Sequence, residues 1–198
     1  MFSCSEDVSN NAPLYVIGNS ISLHGPLINT GWTGNWGMAA SEQKNDFAHK
    51  VGKSIKRPVT VINFSELEQT PLLAIPKIKD ILLHIPSNAF VIVQLGDNLL
   101  PANAKDFEIG HAQLLKGLSS AHAKICVSTW WARPEKDVIL MRNCKNNGFI
   151  YVDIGDVRGI PATFGYKGVD YGNAGVTDHP QDFSMKVIAE RIIKALNE

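Results

Sequence analysis

Short apolar runs rich in β-branched residues alternate along the chain with longer amphipathic segments. The apolar runs lie at residues 14–17, 59–62, 90–94, 124–128 and 149–152. Between them, apolar residues recur at spacings of three and four, which is the period of one face of an α-helix. Strands that alternate with helices in this way predict a parallel sheet, because each crossover returns the chain to the same end of the sheet.

The amphipathic segments are predicted to be the crossover helices. The clearest is the last, and Pro180 suits its first turn. Its apolar face consists of Met185, Ile188, Ala189, Ile192 and Leu196. The other faces are marked by Phe47, Val51 and Ile55; by Ile75, Ile78, Leu82 and Ile85; by Phe107, Leu114, Leu115 and Leu118; and by Val138, Met141 and Cys144.

The glycine-rich segment 155–177 lacks periodicity and is predicted to be a long functional loop. No repeat, low-complexity tract or linker divides the chain. We therefore expect one domain, residues 1–198, folded as a three-layer α/β/α sandwich of about five parallel strands.

Polar residues follow the predicted strands at the points where ligands bind in such sheets. Ser20 follows the first strand, Asn98 follows the third, and His179 comes after the fifth. Because the carboxyl ends of parallel strands meet at one edge, these side chains are expected to converge. A hydroxyl nucleophile, an imidazole base and an amide donor are the groups that acyl transfer requires.

Each of these residues has a role in such a site. His179 would take the proton of the Ser20 hydroxyl and later return it to the leaving alcohol. Asn98 would donate an N–H to the oxyanion, together with the backbone N–H groups of Ser20 and Ser65. Taken singly, Ser20 also suits a helix N-cap, Asn98 a turn and His179 a helix entry. Their conjunction, in this order, favours catalysis.

Four segments resemble the sequence blocks of the SGNH, or GDSL-type, hydrolase family. Residues 18–20, Gly-Asn-Ser, resemble its Gly-Asp-Ser block, with Asn19 in place of the aspartate. Residues 63–65, Asn-Phe-Ser, resemble its Asn-x-Gly block, with Ser65 in place of the glycine. The resemblance covers nearly the whole chain. It implies a flavodoxin-like SGNH hydrolase fold and a serine esterase activity.

The remaining blocks also depart from the family pattern. Residues 96–98 resemble Gly-x-Asn-Asp, but Leu99 replaces the final aspartate. His179 and the proline after it resemble the last block, Asp-x-x-His, yet Val176 stands where the family has its histidine-orienting aspartate.

Three groups remain open as partners of the His179 ring in place of that aspartate. The adjacent Asp178 is one, provided that a local turn brings its carboxylate back to the ring. A backbone carbonyl near Val176 is another, and it would leave a Ser-His dyad. Asp153 or Asp170, reaching in from the loop after the fifth strand, is the third.

The tryptophans suggest the kind of substrate. Trp32, Trp36, Trp130 and Trp131 all fall in loops at the predicted strand-end edge. Indole faces suit stacking on a sugar ring, although two or more of the four could equally pack beneath the loops. We expect removal of a short acyl group, acetyl above all, from a carbohydrate or another small ester. The glycines of segment 31–41 could instead cradle a phosphate.

Composition narrows the range of partners. The 198 residues carry 19 basic and 19 acidic side chains without runs of like charge, so neither a nucleic acid nor a membrane is expected as a partner. No cofactor or metal is expected. Cys4, Cys126 and Cys144 are expected to be free thiols, and the N-terminus lacks a signal pattern, which predicts a cytoplasmic location.

Three other functions remain compatible with the sequence. The same site could serve an acyltransferase if an acceptor hydroxyl outcompetes water. The departures from the family blocks also fit a catalytically inactive glycan-binding module of the same fold. A nucleotide-binding flavodoxin-like protein is a further alternative. The oligomeric state stays open.

Overall fold

The computed structural model describes residues 12–198, so Cys4 lies outside the described residues. The strands are β1 (Leu14–Gly18), β2 (Val59–Asn63), β3 (Phe90–Gln94), β4 (Ala123–Val127) and β5 (Ile150–Val152). They form one sheet in the order β2-β1-β3-β4-β5, and every neighbouring pair is parallel. The predicted parallel sheet is confirmed, with each strand within one residue of its expected start and end.

The helices lie between and after these strands. The longer ones are α1 (Phe47–Ile55), α5 (Ala104–Gly117), α6 (Pro134–Asn146) and α9 (Asp182–Leu196). The short ones are α2 (Glu66–Gln69), α3 (Pro71–Ala74), α4 (Ile78–Leu83), α7 (Ile160–Thr163) and α8 (Ala174–Thr177). Among residues 12–198, no helix combines the length and the apolar character needed to cross a membrane.

Two apolar layers separate the sheet from its helices. Leu14 and Val16 of β1 pack on one face with residues of α1 and α9, whereas Ile17 packs on the other face with residues of α2–α6. This alternation follows from the pleat of a strand, which sends successive side chains to opposite faces. The α/β/α sandwich expected from the sequence is therefore confirmed.

Some helix details differ from the expectations. The segment marked by Ile75 to Ile85 does not form one helix: a 3-10 turn at Ile75–Lys77, in which Pro76 lacks an N–H, precedes α4, and α4 ends at Leu83. Cys144 of α6 is buried as expected, but Val138 is 52% exposed, and Leu140 and Asn143 complete the buried face. Pro180 lies before the last helix rather than in its first turn.

The expectation of free thiols at Cys126 and Cys144 is wrong. The two cysteines, both buried, form a disulfide bond that joins β4 to α6 across a sequence separation of 18 residues. The sequence did not indicate this pairing because the partners are brought together only by packing of the helix on the sheet. Disulfides are rare in cytosolic proteins, and the cytoplasmic location stays a prediction.

Strand register brings the candidate site residues to one edge. Gly18, the last residue of β1, is paired with Asn63 of β2 and with Gln94 of β3. The turns that follow these three strands therefore begin at the same level. Those turns carry Ser20, Ser65 and Asn98, while the segment 155–179 after β5 returns to the same edge.

Candidate active site

The turn after β1 presents the Ser20 side chain at the sheet edge. Gly18 ends the strand, and a Cβ there would clash with the Ser22 hydroxyl, so the close approach requires glycine. Asn19 then closes the turn: its side-chain Oδ1 accepts from the N–H of Ile21 at 3.0 Å, and its backbone oxygen accepts from the N–H of Ser22, also at 3.0 Å. Asn19 is wholly buried, whereas Ser20 is partly exposed.

His179 lies in hydrogen-bond contact with this serine. Its Nε2 is 2.8 Å from the Oγ of Ser20, and its Nδ1 is 2.6 Å from the backbone oxygen of Gly175 in α8. A carbonyl oxygen can only accept, so Nδ1 must carry the proton. Nε2 is then free to accept the proton of the Ser20 hydroxyl, which is the tautomer that a general base needs.

None of the aspartates considered above contacts the ring of His179. The carboxylate of Asp178 faces Arg158 at 3.6 Å, because adjacent side chains diverge in this turn. Asp153 accepts from Ser128 Oγ at 3.0 Å, and Asp170 accepts from a backbone N–H of its own loop. Of the three arrangements left open by the sequence, the structure has the one with a backbone carbonyl near Val176.

Burial decides the charge of His179. It is the largest cause that lowers the pKa of this imidazole to about 4, and the proximity of His24 acts in the same direction. The bond to Gly175 and the charge of Asp178 act in the opposite direction but do not compensate. At neutral pH the ring is therefore uncharged and able to accept a proton.

The three expected oxyanion donors are not equally available. The backbone N–H of Ser65 donates to Asn63 Oδ1 at 3.0 Å, and Asn63 is itself held by a bond from its Nδ2 to the Leu23 carbonyl at 2.7 Å. This donor is occupied, contrary to expectation. The backbone N–H of Ser20 makes no hydrogen bond within residues 12–198.

Asn98 contributes the remaining donor group. Its Nδ2 donates to Glu68 Oε2 at 2.8 Å, which uses one of the two N–H bonds of the amide. The second N–H is left for a ligand. Ser20, Ser65 and Asn98 all line the same cavity.

The buried carboxyl group of Glu68 and the partly buried one of Asp97 lie beneath the site, and both were missed from the sequence. Burial and the charge of Asp97 raise the pKa of Glu68 to about 7, and burial of its carboxyl group raises the pKa of Asp97 to about 6. Asp97 could have been found, because it precedes Asn98 in the Gly-x-Asn block. Glu68 is one of two glutamates in the short helix after β2, and nothing in the sequence distinguishes it from the partly exposed Glu66.

The tryptophans do not line the Ser20 cavity as expected. Trp32 is 2% exposed and packs edge-on against Trp36, with ring centroids 5.6 Å apart. Trp130 is 3% exposed and donates its Nε1–H to the Asp178 carbonyl at 2.8 Å. Trp131 contacts the His179 ring edge-on at 5.2 Å. Trp32 and Trp36 therefore pack together, Trp130 lines a second cavity at His179, and Trp131 contacts the imidazole, while a contact of any of the four with substrate stays a prediction.

The cavity beside Ser20 and His179 has a volume of about 280 Å³. Most of its lining is polar, and His24 contributes to its wall. The other lining side chains include Leu27, Thr30, Met38, Asn63, Gln69 and Asn173. A second cavity of about 300 Å³ also has His179 in its lining, together with Trp130, Arg158, Tyr166 and Asp170.

One group of side chains within residues 12–198 has the donor types and spacing of a metal site. It consists of His111, Cys126 and Cys144, whose ligand atoms lie within 4.8 Å of one another. The two sulfurs are joined in the disulfide bond, and a disulfide lacks the thiolates that bind metal. This group is in the core layer of α5 and α6 and takes no part in the Ser20 site.

Solved structures share the fold of this chain. A carbohydrate esterase, whose active site displays divergent catalytic and non-catalytic binding functions, aligns with 94% of this chain and 68% of its own at a TM-score of 0.62 and 14% identity. A member of the lipolytic protein G-D-S-L family from Veillonella parvula aligns with 94% of this chain and 99% of its own at a TM-score of 0.59 and 12% identity.

The protein YXIM from Bacillus subtilis aligns with 94% of this chain at a TM-score of 0.60 and 13% identity, and the chain spans 56% of its length. At these identities the likeness shows a shared fold. The fold is that of GDSL-type lipolytic proteins and esterases. No protein-family model and no curated protein sequence matches the chain.

Proposed function

We propose that this chain is a serine ester hydrolase of the SGNH type that removes a short acyl group, acetyl above all, from a carbohydrate or another small ester. The observation that carries the proposal is the 2.8 Å contact between Ser20 Oγ and His179 Nε2, with Nδ1 bonded to a carbonyl. That contact supplies a nucleophile and a base in the required tautomer. The shared fold with GDSL-type esterases supports the same chemistry.

Acylation begins when Ser20 Oγ attacks the ester carbonyl carbon while its proton passes to His179 Nε2. The carbonyl oxygen becomes an oxyanion, which accepts from the Ser20 backbone N–H and from the second N–H of Asn98. The tetrahedral intermediate then expels the alcohol, and the imidazolium returns its proton to the departing oxygen. Water then attacks the carbonyl carbon of the acyl-enzyme while His179 Nε2 takes a proton from it. The second tetrahedral intermediate releases the acid, and the imidazolium returns its proton to Ser20 Oγ.

Gly175 stabilises the charged intermediate less than a carboxylate would. Its carbonyl fixes the tautomer and the orientation of the His179 ring, but it offers a dipole rather than a full negative charge to the imidazolium. Catalysis by this dyad therefore depends strongly on the oxyanion donors, of which a single one is worth about 3 kcal/mol of barrier.

The cavity supports a small, polar substrate. Its volume of about 280 Å³ leaves room for an acetyl group and part of a sugar, and the side chains of Thr30, Gln69 and Asn173 offer hydrogen bonds to hydroxyl groups. The carbohydrate esterase that shares the fold fits this choice of alcohol. An acceptor hydroxyl in place of water would make the same site an acyltransferase.

A fluorophosphonate probe tests the proposed nucleophile directly. Such a probe phosphonylates an activated serine, and peptide mass spectrometry locates the adduct. We expect labelling at Ser20 that is lost in His179→Ala and kept in His84→Ala, which removes an exposed histidine. Labelling of another serine would contradict the role of Ser20. No labelling at all in the folded wild type would contradict the proposed esterase and leave the glycan-binding module as the function of this fold.

A further inference from the structure

Glu68 is a fully buried carboxyl group beneath the turns that carry Ser20 and Asn98. It is 0% exposed and belongs to α2, which follows β2. Its Oε1 accepts from Asn19 Nδ2 at 3.1 Å and from the backbone N–H of Gly96. Its Oε2 accepts from Asn98 Nδ2 at 2.8 Å. One carboxylate thus joins the turn after β1 to the turn after β3.

The orientation of the Asn98 amide decides what this residue offers to an oxyanion. A half-turn of the amide group exchanges its donor nitrogen with its acceptor oxygen. Above its raised pKa of about 7, Glu68 is ionised and offers acceptors only, so it then admits just the orientation in which Nδ2 faces it. The second N–H of the same nitrogen then remains available to the cavity that Asn98 lines.

We propose that Glu68 is a positioning residue for ester hydrolysis: it holds the amide of Asn98 in the orientation that presents an N–H, rather than an oxygen, to the oxyanion formed at Ser20. This inference rests on the proposed function and deepens it. The oxygen in that place would repel the developing negative charge, so the gain from Asn98 depends on the acceptor beneath it.

The identity of residue 19 agrees with this role. Asn19 Nδ2 lies between the buried carboxyl group of Glu68 and the partly buried one of Asp97, 3.1 Å from Glu68 Oε1 and 3.3 Å from Asp97 Oδ2. Asp97 is further held by Gln94 Nε2 at 2.6 Å, and the Lys136 ammonium donates to the Asp97 carbonyl at 3.1 Å. An aspartate at position 19, as in the family pattern, would add a third carboxylate here. The asparagine instead supplies a donor that both carboxyl groups use.

The substitution Glu68→Gln tests the inference because it preserves shape but adds a donor end that allows the Asn98 amide to reverse. At a pH of about 8.5, where Glu68 is ionised, we expect kcat for p-nitrophenyl acetate to fall by about 100-fold, the effect of losing one oxyanion donor, with KM changed by less than about threefold. The matched control is Glu66→Gln on the same helix, whose carboxylate is partly exposed and pairs with Lys77 at 2.7 Å. It should keep wild-type kinetics.

The same substitution in an Asn98→Ala background separates positioning from general disruption. If Glu68 acts through Asn98, the double variant is no slower than Asn98→Ala alone. A further loss of tenfold or more in the double variant, or a single Glu68→Gln variant with wild-type kcat, would overturn the inference. Wild-type protein without Ser20-dependent turnover would instead overturn the proposed function, and the inference with it.

A measurement on the wild type covers the case in which Glu68→Gln does not fold. In protein labelled with ¹⁵N-asparagine, one of the two side-chain amide protons of Asn98 should exchange with solvent at least tenfold more slowly than the other, because it is bonded to the buried Glu68. Rapid exchange of both protons at similar rates would rule out the proposed anchoring.

Discussion

The Nδ1 of His179 donates its proton to the backbone oxygen of Gly175, 2.6 Å away, and no carboxylate within the described residues contacts the ring. A main-chain carbonyl group therefore determines the tautomer that a catalytic base requires.

Asp178→Asn should leave at least a tenth of the wild-type kcat/KM. The carboxylate of Asp178 is directed to Arg158 and influences His179 only as a distant charge. Steady-state hydrolysis of an acetyl ester by the folded variant measures the effect, with Arg158→Gln as the control that breaks the same ion pair. A thousandfold loss in Asp178→Asn alone would show that this carboxylate does orient the ring.

The His179 ring should titrate well below the ordinary range of histidine. Burial lowers its pKa to about 4, so the neutral form needed to accept the Ser20 proton persists as the pH falls through 6.5. Histidine-ring ¹H–¹⁵N correlation spectra recorded from pH 3.5 to pH 8 give this pKa directly, with His179→Ala to assign the signal. A midpoint above pH 6 would indicate a negative charge at the ring that the structure does not contain.

Glu68 should make the folded state less stable as the pH rises from about 4.5 to about 7. Its pKa is raised from 4.5 to about 7 in the folded protein, so within this window the folded state binds a proton that the unfolded state has lost. The free energy contributed by that proton is present below pH 4.5 and is lost as the pH passes 7.

The lowered pKa of His179 makes the folded state more stable as the pH rises, which is the opposite effect. The contribution of Glu68 must therefore be measured as a difference between the variant and the wild type. The free energy of unfolding of Glu68→Gln minus that of the wild type should increase between pH 4.5 and pH 7. Urea unfolding at several pH values measures this difference. For Glu66→Gln, the difference in the free energy of unfolding from the wild type is expected to stay constant with pH. A constant difference for Glu68→Gln would contradict the raised pKa.

The disulfide bond should be present in purified protein and should contribute to stability. Intact mass under non-reducing conditions is expected to be about 2 Da below the reduced mass, with alkylation of Cys126 and Cys144 only after reduction and unfolding. Paired substitution of both cysteines by serine should lower the free energy of unfolding by about 3 kcal/mol. Rapid alkylation of both thiols in the native, unreduced protein would show that the bond does not form.

The sequence was sufficient for the sheet and for the residues that stand at its edge. Alternating apolar runs and amphipathic segments determine the parallel arrangement, and parallel strands must end at one edge. Ser20, Asn98 and His179 were therefore identifiable as neighbours from their positions after the strands. Their convergence needs topology alone, without any detail of side-chain packing.

The rest of the site depends on contacts that residue types do not reveal. The partner of His179 is a backbone carbonyl. Every residue possesses this group, so the residue type of Gly175 does not identify it as the partner. The N–H of Ser65 is occupied because the Asn63 side chain folds back on it, which is a matter of local conformation. Glu68 is buried and Glu66 is partly exposed only because of how the four-residue helix α2 is oriented on the sheet.

Hydrolysis of p-nitrophenyl acetate, compared with the butyrate and octanoate esters, tests the central claim most directly. The assay compares the wild type with folded Ser20→Ala and His179→Ala variants, and with Ser54→Ala, which changes an exposed serine of α1. We predict turnover that prefers acetate, disappears in the first two variants and is unchanged in Ser54→Ala. Wild-type turnover no higher than that of Ser20→Ala would contradict the assignment of a serine esterase.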